Sequence, residues 1–193
     1  MTVAAVIYRA PHLRQLVSSD PYGRYNCTAY AAARAINAAT LGGLVISGAK
    51  IRALSDEPIP SPSSPGLNIR QVCAVSRTLR VPLLDRTAAG EGWDDVVRYL
   101  DVTGPGRRVV AQVDYARWPD PCQASTGFLH AVTLDAIRHR GGTVEVLASD
   151  PLCSTLKWYR AGAVRDAMAA FTGSVNRLSF ALTREIPLIA LVT

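Results

Sequence analysis

Three residues of this 193-residue chain have the side chains and the setting for nucleophilic chemistry: Cys27, His130 and Asp150. Cys27 follows Asn26, a good helix N-cap, and precedes an alanine-rich run. That makes it the expected first residue of a helix, where unpaired backbone N–H groups and the helix dipole favour an anion. A thiol with an ordinary pKa of about 8.5 shifts toward thiolate there, more so beside an imidazolium. His130 sits in Leu129-His130-Ala131-Val132, a strand pattern in which period-2 alternation groups it with Phe128, Val132 and Leu134. Asp150 follows the run Glu145 to Ser149 and precedes Pro151, at the end of the neighbouring strand. In concert, the imidazole takes the thiol proton, the thiolate attacks a carbonyl, and the imidazole returns the proton to the leaving group. The carboxylate fixes the tautomer. Singly, each has a blander explanation: a small core thiol, a satisfied core histidine, an Asp-Pro turn.

These residues need elements to carry them. Val3 to Tyr8 reads as a short strand and Ser18 to Gly23 as a loop. Cys27 to Thr40 reads as a helix whose alanines leave little bulk on any face, suiting a buried position, and Gly42-Gly43 stops it. Ser55 to Gly66 is a Pro/Ser-rich loop long enough to line a cleft. Asn68 caps a second helix to Leu79, with Val72, Cys73, Ser76 and Leu79 on one stripe, so Cys73 is expected in the core. Val81 to Leu84 is a short strand, and Trp93 to Leu100 a third helix. Strands follow at Val109 to Tyr115, Phe128 to Arg138 and Thr143 to Ala148, the last two joined by a turn at His139 to Gly142. Leu156 to Tyr159 is a strand, Gly162 to Phe171 a helix, and Ser174 to Thr183 and Leu188 to Val192 close the sheet. Helices first and an antiparallel sheet after indicate an α+β fold. No repeat or linker divides the chain, so one domain over 1–193 is expected.

Composition removes several classes. Hydrophobic residues at 49% and charged residues at 19% exclude a disordered chain. The net charge of +6 is almost entirely arginine, scattered along the chain, with Arg107-Arg108 the one adjacent pair. That permits an anionic partner without specifying one, and a dedicated nucleic-acid binder is disfavoured. No apolar run reaches the ~18–20 residues of a membrane span, and no signal peptide is visible. Cys27, Cys73, Cys122 and Cys153 form no CxxC pair, so no structural zinc, and no cofactor, is expected. Cys122 and Cys153 flank loops and can be single thiols or a pair.

At this point the sequence resembles the papain-like cysteine peptidase superfamily. Asn26-Cys27-Thr28-Ala29 opening an Ala-rich helix, Leu129-His130-Ala131-Val132 on a strand and Ser149-Asp150-Pro151 after a hairpin carry the likeness. It is most similar to the bacterial branch that trims double-glycine leader peptides, and Trp158-Tyr159 before a helix also fits that branch. Thr40-Leu41-Gly42-Gly43 and Gly66-Leu67-Asn68-Ile69 further resemble peptidase-like proteins of actinobacterial phages. The resemblance implies a papain-like fold, with N-terminal helices packed on a C-terminal antiparallel sheet. It implies Cys27 as nucleophile, His130 as base and acid, and Asp150 as orienter in cleaving a peptide or amide bond. Its implied partners are a peptide, a cell-wall peptide or other virion proteins. The implied location is the virion or the host cytoplasm.

One departure qualifies the expectation of activity. The family places a Gln a few residues before the Cys to hold the oxyanion, and residues 18 to 26 contain none. Gln15 lies 12 residues upstream, farther than the family pattern, leaving Tyr22, Arg24 or Asn26 as substitutes. Losing an oxyanion donor costs about 2.7–4 kcal/mol of transition-state stabilisation. A weakly active or inactive structural component of a phage virion is therefore the rival reading. Acyl transfer to an amine, with the same three residues, is a third.

Overall fold

The computed structural model describes residues 12–63, 66–102, 106–122 and 129–184. The strands expected at Val3 to Tyr8 and Leu188 to Val192 lie outside these residues, as does Phe128. The helices are α1 (Cys27–Ala39), α2 (Gly48–Ala53), α3 (Ile69–Thr78), α4 (Trp93–Asp101) and α5 (Ala161–Thr172). The strands are β1 (Leu83–Asp85), β2 (Val109–Asp114), β3 (Leu129–Arg140), β4 (Thr143–Ser149), β5 (Lys157–Arg160) and β6 (Phe180–Thr183). They form one sheet in the order β1-β6-β2-β3-β4-β5, with every pairing antiparallel. The fold is α+β, as expected.

Both faces of the sheet are covered. Val109, Ala111, Val113, Val132, Leu134, Phe180 and Leu182 point to a core shared with α4 and α5. Val110, Ala131 and Ala181 point to a second core with α1 and α3. The second face is lined by small side chains, so the alanines of α1 pack close to it. Every residue of α1 except Cys27 is buried. Close approach also shows at Gly106, where a Cβ would come within 3.1 Å of Ala39 Cα.

Several boundaries differ from the sequence reading, each for a local reason. β3 runs on through His139 and Arg140, and the turn is only Gly141-Gly142. Both glycines have positive φ, +54° and +76°, the geometry a two-residue hairpin requires and side chains resist. Strand β6 begins only at Phe180, because Gly173, at φ +75°, ends α5 and the chain must still cross back to the sheet. Asn68 caps α3 with a reciprocal box, its side chain accepting from Gln71 N and its own N–H donating to Gln71. Helix α2 was not anticipated; Ser47 caps it by accepting from Lys50 N. Cys73 is in the core, where burial pushes its thiol up to about 12.

A candidate thiol active site

Helix α1 lies along β3 and delivers Cys27 to the end of that strand. Three contacts set this alignment. Thr133 Oγ1 donates to Ala31 O at 2.9 Å. Arg34 donates to Asp135, the residue bulged between Leu134 and Ala136, with the Arg34 Nε–Asp135 Oδ1 separation 3.3 Å. At the helix start the Cys27 thiol and the His130 imidazole lie near enough for each to shift the titration of the other.

Strand β4 brings the third residue. Ser149 pairs with Thr133, so Asp150, one step beyond the end of β4, comes opposite Val132 and diagonal to His130. His130 Nε2 and Asp150 Oδ1 are 2.8 Å apart, both buried. With Nε2 on the carboxylate, Nδ1 is the ring nitrogen left to face the sulfur. Asp150 Oδ1 also accepts from Leu152 N at 2.9 Å, and Oδ2 accepts from the Tyr115 hydroxyl at 2.9 Å. Tyr115 stacks obliquely on the His130 ring, centroids 4.5 Å apart. The carboxylate is thus held on both oxygens and the imidazole on one nitrogen and one face.

The electrostatics follow from these contacts. Burial alone would push the Cys27 thiol up. The hydrogen bond and charge of His130, with the Thr28 hydroxyl and the Ala131 N–H, outweigh it and hold the thiol below its ordinary range. Burial works against the charged form of His130 too, yet Asp150 and Cys27 push it up to about 9. Asp150 is likewise depressed against its burial, chiefly by His130. All three shifts favour a thiolate beside an imidazolium beside a carboxylate.

The surroundings correct one sequence expectation. Asn26 occupies the cap position of α1, but its side chain does not cap. Its Nδ2 donates to Asp20 Oδ2 at 2.9 Å and its Oδ1 accepts from Arg52 Nε at 2.8 Å. Gln15, remote in sequence, is brought in. Its N–H donates to Pro151 O at 3.0 Å, beside Asp150. Gly23, in the one-turn 3-10 helix Gly23–Tyr25 that leads into Cys27, lies flat on its carbonyl, where a Cβ would come within 2.1 Å. Gln15 is buried, and its Oε1 has no hydrogen-bond partner among the described residues.

Cys122 and Cys153 form a disulfide, which settles a point the sequence left open. It backs the site: Cys122 N donates to the Tyr115 hydroxyl at 3.0 Å, and Cys153 Sγ is 3.4 Å from Asp150 Oδ2. Among the described residues, Cys122, Asp150 and Cys153 are the one group with metal-ligand spacing, and two of its three donors are bound to each other in that disulfide. His12 lies behind the same corner, with Nδ1 2.8 Å from Ser149 Oγ and Nε2 2.7 Å from Cys153 O. His139 is exposed and 3.4 Å from Asp101, away from the site. No helix among the described residues is long and apolar enough to cross a membrane. Sequence reasoning missed Asp20, Arg52 and Tyr115. A buried role for Asp20 left no mark in the chain, since it stands in the polar loop Ser18 to Gly23, and Arg52 belongs to a helix the sequence reading did not anticipate.

No family model and no curated protein matches the sequence. Solved structures do match its fold. One such match is the crystal structure of a candidate C39-like peptidase from Bacillus anthracis. It superposes with a TM-score of 0.62 over 95% of this chain and 98% of that one, at 14% identity.

Proposed function

We propose that this protein is a thiol hydrolase that cuts a peptide or amide bond, with Cys27 as nucleophile, His130 as general acid and base, and Asp150 as orienter. One observation carries the reading: the buried His130–Asp150 pair, 2.8 Å apart, beside a partly exposed Cys27 at the start of α1, an arrangement that favours the thiolate. A buried core thiol would be pushed the other way, as Cys73 is.

The reaction follows from that polarity. The Cys27 thiolate forms a C–S bond to the substrate carbonyl carbon, and the carbonyl π pair moves to oxygen. His130 gives its Nδ1 proton to the departing amine as the C–N bond breaks, leaving a thioester. Water, deprotonated by His130, attacks the thioester and releases the acid and the thiol. Asp150 keeps its charge throughout and holds the Nε2 proton. The oxyanion falls beside the Cys27 N–H, at a helix start its neighbour does not cap. Gln15 is the proposed second donor, supported by its tether to Pro151 and its packing against Gly23, four residues before Cys27.

The substrate reading is coarser: a peptide, with bacterial cell-wall peptide or a virion protein as the specific proposals, and the virion or host cytoplasm as the place of action. These rest on the resemblance to phage peptidase-like proteins. The rival reading, a virion component with the fold but no activity, draws on the long Gln15–Cys27 spacing. Incubating the wild type and Cys27→Ala with peptidoglycan and a peptide library decides between them. Cleavage by the wild type alone supports the hydrolase. No cleavage, with Cys27 alkylated by iodoacetamide only at ordinary thiol pH, refutes it. Added amines appearing in the product reveal acyl transfer.

A further inference from the structure

Arg52 is a cation buried near the proposed nucleophile to 1% exposure, and the reaction above does not use it. Its position is built in steps. Asn37 on α1 clamps Ile46, donating to its carbonyl at 3.0 Å and accepting its N–H at 2.9 Å. This fixes the entry to α2. Gly48 then lies against the Tyr30 ring, where a Cβ would come within 2.1 Å. So α2 docks tightly on α1, and Arg52 reaches under the α1 start. Its Nε donates to Asn26 Oδ1 at 2.8 Å, its Nη2 to Tyr25 O at 3.1 Å and its Nη1 to Glu57 O at 3.1 Å.

Two consequences meet at Cys27. Asn26 is turned toward Arg52 and Asp20 and so stays off the helix terminus it would otherwise cap. The first N–H groups of α1 are then left without a side-chain cap. Burial lowers the pKa of the guanidinium and Glu57, Cys27 and Asp20 offset that only in part, but arginine starts so high that the group stays cationic. Bonded to Tyr25 and Asn26, the two residues before Cys27, the guanidinium stands directly behind the start of α1.

We propose that Arg52 is a positioning residue for Cys27: it holds Asn26 away from the start of α1 and sets a fixed positive charge behind the sulfur. The inference rests on the hydrolase reading. The charged and titratable groups around Cys27 are His130 from β3, Asp150 behind it from the end of β4, and Arg52 from α2. Glu57 lies beyond Arg52, and Asp20 sits in the preceding loop, bonded to Tyr30 of α1.

The test measures the pH dependence of Cys27 alkylation by iodoacetamide in the full chain, with no substrate needed. Arg52→Gln should move the midpoint up by about 0.5–1 pH unit, and Arg52→Lys by less than half of that. Asp20→Asn keeps its acceptor oxygen for Asn26 and removes a negative charge, so it should move the midpoint down. A residue serving only packing would not give shifts of opposite sign. Midpoints of folded Arg52→Gln and Asp20→Asn within about 0.2 unit of wild type overturn the proposal. If Arg52→Gln does not fold, an unmoved or raised midpoint in Asp20→Asn overturns it alone, and a lowered one supports it. A wild-type midpoint in the ordinary thiol range refutes the hydrolase reading itself. A low one that the variants leave unmoved refutes only the role of Arg52.

Discussion

Replacing Asp150 by asparagine tests the polarity of the site most directly. The change keeps the side-chain size and removes the charge that His130 Nε2 faces at 2.8 Å. His130 is pushed from 6.5 up to about 9. That net rise corresponds to about 3 kcal/mol favouring the imidazolium. Burial opposes it, so the partners supply more than the net, and the Asp150 hydrogen bond is the largest favourable contribution. Asp150→Asn should therefore lower the His130 pKa by more than about one unit. The sign is fixed: a raised histidine pKa falls when its carboxylate partner is lost. The thiolate leans on the imidazolium, so its own pKa should rise in the same variant. Two assays read these shifts without a substrate. The His130 ring proton followed by NMR gives the first, and the pH profile of Cys27 alkylation the second. Alkylation at pH 7 should fall, with its midpoint moving toward the ordinary thiol range. If a peptide substrate is in hand, the alkaline edge of hydrolysis should drop from about 9 toward neutrality. A folded Asp150→Asn protein in which His130 titrates near 9 would falsify the proposed ion-pair chain.

Gln15→Ala should lower kcat by about 10²- to 10³-fold with little change in Cys27 alkylation, because it removes an oxyanion donor and not the thiolate; a parallel loss of alkylation would point to a collapsed site instead. Cys122→Ser opens a disulfide that closes 31 residues. It should cost about 3–4 kcal/mol of stability by denaturant unfolding, and an unchanged midpoint would mean the bond does not brace the native state. Gly48→Ala drives a methyl into the Tyr30 ring and should destabilise the protein by about 1–3 kcal/mol; a neutral thermal shift would show that α2 can slide without cost.

Much of the fold was legible because its signals are local. The alanine run marked α1, Asn68 marked α3, and Gly141-Gly142 marked the β3–β4 hairpin. Cys27, His130 and Asp150 stood out because each sits where its side chain is expensive unless it is used or satisfied. What stayed hidden depends on distance in the fold. Gln15 looked too far from Cys27, yet the turn at Gly23 folds the intervening loop back on it. Asn26 looked like a cap, and only α2, an unread element, explains why it is not one. The partner of Cys122 had no local signature either, since a disulfide is fixed by geometry that spacing does not encode.

The alanine helix raises a question of specificity that packing alone does not answer. Apolar burial is non-directional, and alanine side chains present nearly the same small surface on every face. A helix of that kind can rotate or slide on a sheet face lined by Val110, Ala131 and Ala181 with little change in buried area. Its setting must then come from directional contacts. Two lie on β3 away from the sulfur: Ala31 O with Thr133, and Arg34 with Asp135. A third lies across α1, where Asn26 meets Arg52. A slip of one residue turns an α-helix by 100°, which carries the sulfur off His130 even if every alanine stays buried. The buried ion cluster of Asp135 with Arg34 and Arg108, the latter's Nε 3.4 Å from Oδ1, contributes little net stability when weighed against apolar packing of the same volume. Its value here is register. Replacing all three members by leucine and methionine should accordingly leave the melting temperature within a few degrees of wild type, yet blunt the low-pH alkylation of Cys27. A triple variant that keeps full low-pH reactivity would show that the alanine face sets the helix by shape alone.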